Sequence, residues 1–406
     1  MYCILVMHLV EKHVIDRNHS DFKEIDNLCF LAKNLYNAAN YLVRQSFIFD
    51  GKYLNYHAIQ KLISSSADYK ALPAKVSQQI LMRLHEAWKG FFSSVAIYKE
   101  HPSKFDAPVR IPKYLHKTDG RFPCIYTNQA VSKKHLKYQK INPSKTSILI
   151  NTGVDNIHQV RLVPKSSYYV FEVVYSKPVV NTNNNSDSIA GIDIGLNNLA
   201  AVTSNRKGFQ PILVNGKPLK KINAFYHKKR SYLQSKLSPK QKTSVKIKDI
   251  LRKRNFKIDD YLHSSSRLVI NYLAANQIGT LVIGHNEKWK QSINLGKRNN
   301  QNFVSIPFSR FIAMLRYKAE LIGIKVIVTE ESYTSKCSFI DSEPLSKQST
   351  YKGKRIKRGL FRSKEGILIN ADCNGSGNII RKVVPNAFAE GIQGVVVPPL
   401  RITPHK

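Results

Sequence analysis

Ala190-Gly191-Ile192-Asp193-Ile194-Gly195-Leu196-Asn197-Asn198-Leu199 holds one carboxylate in the middle of a short, otherwise uncharged run. Ile192 and Ile194 flank Asp193, so in a strand the acid points to one face and both isoleucines to the other. A carboxylate on a buried face needs a partner or a metal, whereas at a strand end the same residue simply caps a turn. Gly191 and Gly195 remove side-chain bulk beside it, which admits a backbone or a ligand at close range. The stretch alone leaves both readings open.

Far downstream, Asn370-Ala371-Asp372-Cys373-Asn374-Gly375-Ser376-Gly377-Asn378-Ile379-Ile380 carries a second isolated carboxylate at what reads as the start of a helix. Asp372 alone reads as an ordinary N-cap. In order and spacing with GIDIGLNNLA and with Tyr333-Thr334-Ser335-Lys336-Cys337, the segment is specific. The chain resembles the TnpB (OrfB) family of insertion-sequence proteins, relatives of the type V CRISPR effectors. The resemblance covers nearly the whole chain, and its motifs are dense only after residue 186.

That resemblance implies a multidomain α/β protein. A wedge-like β-barrel from residues 1–12 and 101–180 would hold a guide RNA, with a helical recognition module, 13–100, inserted in it. After a linker, 181–188, a RuvC-like nuclease domain of the ribonuclease H fold would span 189–333 and 367–385. A degenerate zinc ribbon or basic loop, 334–366, would interrupt it, and 386–406 would form a tail. The implied activity is RNA-guided cleavage of double-stranded DNA, with guide pairing reading the sequence and the protein reading shape and a short flanking motif. A strand-joining DNA transposase and a catalytically dead, guide-dependent DNA binder remain as alternatives.

Composition supports a polyanionic partner. Of 406 residues, 64 are Lys or Arg against 27 Asp or Glu, a net charge of +37 and a pI near 10.0, which nucleic acid balances. A basic membrane-surface protein would concentrate its cations beside an amphipathic helix or lipid anchor, whereas here they run through the whole chain. No apolar run approaches the ~20 residues of a membrane helix, and MYCILVMHLV, with no basic region before it, reads as a strand. The five cysteines are scattered and never in a C-x-x-C pair, which fits a reducing cytosol; the resemblance implies a cytoplasmic, bacterial nucleoid-associated setting.

Periodicity places an amphipathic helix from Asp21 to Phe47, opened by an Asp21/Glu24 capping box, and a second from Ala74 to Tyr98. Lys113, Lys117, Arg121, Lys133 and Lys134 alternate with aromatics including Tyr126, a pattern suited to single strands. Residues 206–257 hold seventeen Lys or Arg and one acid, Asp249. Lys228, Lys229, Arg230, Arg252, Lys253 and Arg254 are therefore read as a phosphate-tracking surface. Strands at Leu199–Thr203, Ile278–Ile283 and Ile324–Val328, with a helix capped by Ser309, imply a mixed sheet with its site at the strand ends.

The family cleaves with Asp, Glu and Asp holding two Mg2+ ions, or Mn2+. Asp193 and Asp372 match the first and third positions, but where the second is expected the chain reads Leu281-Val282-Ile283-Gly284. Glu331, at the end of the adjacent strand ~4.8 Å away, is the expected replacement, reaching the space that Gly284 leaves. Glu330 is the alternative, and Glu287 lies in a loop. Zinc is expected to be absent, since Cys337 survives alone while Ile340, Arg362 and Glu365 occupy the other ligand places.

Overall fold

In the computed structural model, which describes residues 6–180, 187–286, 305–389, 391 and 397–404, two compact units divide the chain at Lys177 and Pro178. Glu287, Met1–Leu5 and most of the expected linker lie outside the described residues.

The first unit begins with β1 (Val6–Ile15), then α1 (Phe22–Phe49), α2 (Tyr56–Ile63), α3 (Ala67–Lys70) and α4 (Ala74–Glu100). β2 (Cys124–Thr127), α5 (Lys133–Leu136), β3 (Lys140–Ile141), β4 (Ile150–Asn151), β5 (Ile157–Pro164) and β6 (Tyr169–Pro178) follow. Apolar stripes of α1 and α4 meet in a core that includes Leu35, Ala39, Leu84 and the fully buried Trp88, whose indole donates to Asn40.

Two expectations fail in this unit. The sheet is open, in the order β1-β6-β5-β2, and no closed barrel is found among the described residues. The capping box at α1 does not form: Asp21 makes no side-chain cap, and Glu24 instead accepts from the backbone and hydroxyl of Ser147. A tertiary partner has outcompeted the local one.

The second unit is built on a six-stranded mixed sheet of order β11-β10-β7-β8-β9-β15. Its strands are β7 (Ile189–Asp193), β8 (Asn198–Ser204), β9 (Ile212–Asn215), β10 (Thr280–Gly284), β11 (Lys325–Thr329) and β15 (Leu400–Ile402). β7, β10 and β11 run parallel, which brings their carboxyl ends to one edge, while β8 returns antiparallel beside β7. The helices are α6 (Lys217–Gln234), α7 (Val245–Ala275), α8 (Phe308–Glu320) and α9 (Ala371–Val383). Ser309 lies inside the first turn of α8 and Pro307 takes the cap position, with no side-chain cap bond, so the expected Ser309 cap is not there.

Between β11 and α9 the basic stretch forms a small antiparallel sheet of β12 (Lys354–Lys357), β13 (Leu360–Arg362) and β14 (Leu368–Asn370). The Cys337 thiol donates to the carbonyl of Pro344 at 3.3 Å. The buried Glu343 carboxylate accepts from the backbone amides of Ser338 and Lys352 at 2.7 and 2.8 Å. Packing and one buried carboxylate thus hold this segment. No helix among the described residues is long and apolar enough to cross a membrane.

Candidate active site

α9 is rich in residues that disfavour helices, yet they let it lie close against the sheet. A Cβ on Gly191 would come within 2.5 Å of the Ser376 carbonyl, so only glycine lets β7 and the helix backbone meet. The Ser376 hydroxyl donates to the Gly191 carbonyl at 2.7 Å and shares a hydrogen bond of 2.8 Å with Thr203. Gly375 faces the acid itself: a Cβ there would lie 2.7 Å from Asp193 Oδ2. Asn370 caps the helix by accepting from the amides of Asp372 and Cys373, so Asp372 sits in the first turn and is free of the capping role.

Asp193 is half-buried at the end of β7, and among the described residues no group donates a hydrogen bond to its carboxylate. Burial, then the negative charges of Asp372 and Glu331, push it up to about 8, against a smaller opposing effect of Arg355. Asp372 is held on both oxygens. Asn198 donates to Oδ2 at 2.6 Å, and Arg355, from β12, approaches Oδ1 at 3.2 Å.

Gly284 follows the Ile283–Ile192 pair, level with Asp193 on the adjacent strand. A Cβ on Gly284 would lie 3.3 Å from Glu331 Oε2 and only 2.5 Å from Ile379 Cδ1. Glu331 therefore reaches the vacated space from beyond β11. Asn286 braces it from both ends, donating to Oε1 at 3.3 Å and accepting from the Glu331 amide at 3.0 Å. Burial, with help from Glu330, raises the Glu331 carboxyl above its ordinary range. Glu330 is exposed and turned to Lys382 and Ser332, whose hydrogen bonds pull it down to about 2.

The three acids are brought to one edge of the sheet, but among the described residues no group of three His, Cys, Asp or Glu side chains is arranged to hold a metal ion. The donor chemistry still fits a hard divalent cation, since all three offer carboxylate oxygens and one of them lacks any donor. Asn198, Asn286 and Arg355 were not singled out from the sequence. Only Asn198 had a signal there, in the quoted stretch itself; Arg355 is hidden in a run of cations.

The expected nucleic-acid contacts divide sharply. Lys113, Lys117, Lys133, Lys134, Lys228, Lys229, Arg230 and Lys253 are exposed. Tyr126 is fully buried in the first unit's core, so it cannot stack on a base. Arg121 gives both its Nε and Nη2 to Asp26 and lies over the Phe30 ring. Arg254 turns inward to Asn223, Asn255 and the Ser305 carbonyl, and Arg252 is largely covered beside Asp249. Tyr126 is withdrawn by burial, and Arg121 and Arg254 by side-chain and backbone partners that hold their guanidinium groups.

The family described as a probable transposase, OrfB of IS605, matches residues 172–290, and the Cas12f1-like TNB domain matches residues 308–379. The chain is 22% identical over 417 residues to the TnpB-like protein ORF457 of Acidianus two-tailed virus, covering 89% of this chain and 84% of that protein. It is 26% identical over 245 residues to the CRISPR-associated endodeoxyribonuclease Cas12f2 of Micrarchaeota archaeon (strain CG1_02_47_40), covering 56% of this chain and 43% of that one. Among solved structures it is similar in fold to the Cas12f1–sgRNA–target DNA complex, with a TM-score of 0.54 at 15% identity over 88% of this chain and 82% of that one. Two domain matches in the second half of the chain and a relative aligned along most of both chains support a TnpB-like relative of the type V effectors.

Proposed function

We propose that the chain is a transposon-encoded, RNA-guided DNA endonuclease whose second unit is a RuvC-like nuclease domain of the ribonuclease H fold, 189–333 and 367–385, with Asp193, Glu331 and Asp372 as its acids. The first unit then serves as wedge and recognition module for an element-derived guide RNA, and the target is double-stranded DNA. The observation that carries the reading is the approach of Glu331 Oε2 to 3.3 Å from the missing Gly284 Cβ, on the strand beside Asp193. A carboxylate is thereby delivered to the level of Asp193 from one strand further out.

Asp193, Glu331 and Asp372 are the residues that would hold divalent ions, which when bound would supply an activated water and relief of charge on the leaving oxygen. Asp193, with no donor among the described residues, keeps its oxygens open for ligation. Asn286 fixes Glu331 in its reach across Gly284, and Asn198 orients Asp372. Arg355 holds a cation at the edge of the acids, where an incoming phosphate also arrives.

The test is cleavage of a target plasmid by protein bearing its copurified RNA, once that RNA has been sequenced. Asp193→Asn, Glu331→Gln and Asp372→Asn should each reduce cutting to background while leaving guide-dependent DNA binding in place. Glu330→Gln should cut normally. Normal cutting by Glu331→Gln removes the rearranged site from consideration. Arg355 and Asn198 on Asp372 favour a second reading, a guide-dependent binder that never cuts, and that reading wins if the unmodified protein fails with every guide. Strand joining by RNA-free protein would instead make it a transposase.

A further inference from the structure

α6 starts beside the candidate site. Lys220, in its first turn, donates to Asn197, the neighbour of the Asn198 that orients Asp372. Its inner face, Leu219, Asn223 and Tyr226, is buried in the second unit. Its outer face carries Lys221, Phe225, Lys229 and Tyr232 at spacings of four, four and three, and Lys236 follows four residues on, just past the helix end. Residues so spaced share one stripe.

The two rings are the unusual feature. Phe225 is 67% and Tyr232 62% exposed, although neighbouring Tyr226 shows that this helix buries an aromatic where one is needed for packing. Lys229 Nζ lies 5.9 Å from the Phe225 ring and Lys236 Nζ 5.7 Å from the Tyr232 ring. The helix has no acidic residue, so its cations are not matched along its own surface. A helix that only needs solubility mixes both signs and keeps aromatics off the outside.

We propose that this stripe is a stacking track for single-stranded nucleic acid, with Phe225 and Tyr232 each taking an unpaired base and the intervening lysines its phosphates. The rings lie seven helical positions apart, about 10 Å along the axis, so each ring takes its own base. Stacking is indifferent to base identity, as a strand fed to a sequence-blind nuclease centre requires. The proposal rests on the nucleic-acid reading of the chain but not on cleavage.

The experiment measures binding of a labelled oligo(dT) of about 20 nucleotides to the full chain freed of copurifying RNA, in EDTA, where no cutting takes place. Phe225→Ala and Tyr232→Ala should each weaken binding about tenfold without changing the slope of log affinity against log salt. Lys229→Ala and Lys236→Ala should each lower that slope by about 0.7. Against an abasic strand of equal length the two ring variants should bind like the unchanged protein. Unchanged affinity in both ring variants overturns the proposal, as does equal loss on the abasic strand. Loss of self-association or of protein capture with unchanged oligo(dT) affinity would make the stripe a protein-binding face instead. Because the assay contains no divalent ion, a chain that never cuts can still pass it.

Discussion

Ile379 and Glu331 divide between them the space that a side chain at position 284 would need, since a Cβ there meets Ile379 Cδ1 at 2.5 Å before it meets Glu331 Oε2 at 3.3 Å. Returning the acid by Gly284→Glu in a Glu331→Gln background should therefore fail to restore cutting and should lower stability by about 1–3 kcal/mol through overpacking. Adding Ile379→Ala opens the space, and the triple variant should regain stability over the double and recover measurable cleavage. Thermal unfolding and plasmid cleavage, run on the same preparations, check both halves. Asn286→Ala, which only loosens the brace on Glu331, should lower kcat about tenfold with KM unchanged. The proposed exchange of Gly284 for Glu331 was raised at the sequence level by the family resemblance, with strand spacing allowing the reach. The brace was not, because Asn286 looks like any loop asparagine until Glu331 is seen beside it.

At the scale of elements, α9 gives two glycine positions opposite predictions. Gly191→Ala on β7 drives a methyl into the Ser376 carbonyl, which cannot yield without moving the helix, so stability should fall by about 2–3 kcal/mol. Gly375→Ala meets only the end of the Asp193 side chain, so the fold should hold within about 1 kcal/mol while cleavage is lost, because the acid is displaced. Denaturant titration alongside cleavage separates the two. In the first unit, Arg121 holds the Asp26 carboxyl below its usual range, against burial and with help from Tyr169. A depressed carboxylate contributes stability that is present above its unfolded value and is lost as pH falls through its folded one. Asp26→Asn should therefore destabilise by roughly 1–2 kcal/mol at neutral pH, with the difference from the unchanged protein fading below about pH 4. A constant difference across that range would mean the pair acts by shape and not by charge. Helices and strands were readable here from periodicity, which packing obeys. The start signals at Asp21 and Ser309 misled, because a cap is a single hydrogen bond that Ser147 or a neighbouring turn can displace.

Across the whole molecule the net charge of +37 was the plainest sequence signal, but it does not say which cations are available to a polyanion. The structure sorts them by what else they touch: Lys228, Lys229, Arg230 and Lys253 are exposed, whereas Arg121 and Arg254 are committed to Asp26 and to the Asn223, Asn255 and Ser305 oxygens. Each phosphate neutralised releases counterions, so replacing a contacting lysine should flatten the slope of log affinity against log salt by about 0.9 on duplex and 0.7 on a single strand. Lys228→Gln, Lys229→Gln, Arg230→Gln and Lys253→Gln should each approach that change while leaving the unfolding midpoint where it is. Arg254→Gln should do the reverse, since its guanidinium is turned inward and joins three oxygens. Its slope should match the unchanged protein, and stability should fall by roughly 1–3 kcal/mol. Affinity measured across a salt series, with denaturation of the same variants, reads both quantities. A slope loss for Arg254→Gln equal to that for Lys229→Gln would show that nucleic acid reaches into the helix pair and that the inward arginine is a contact after all.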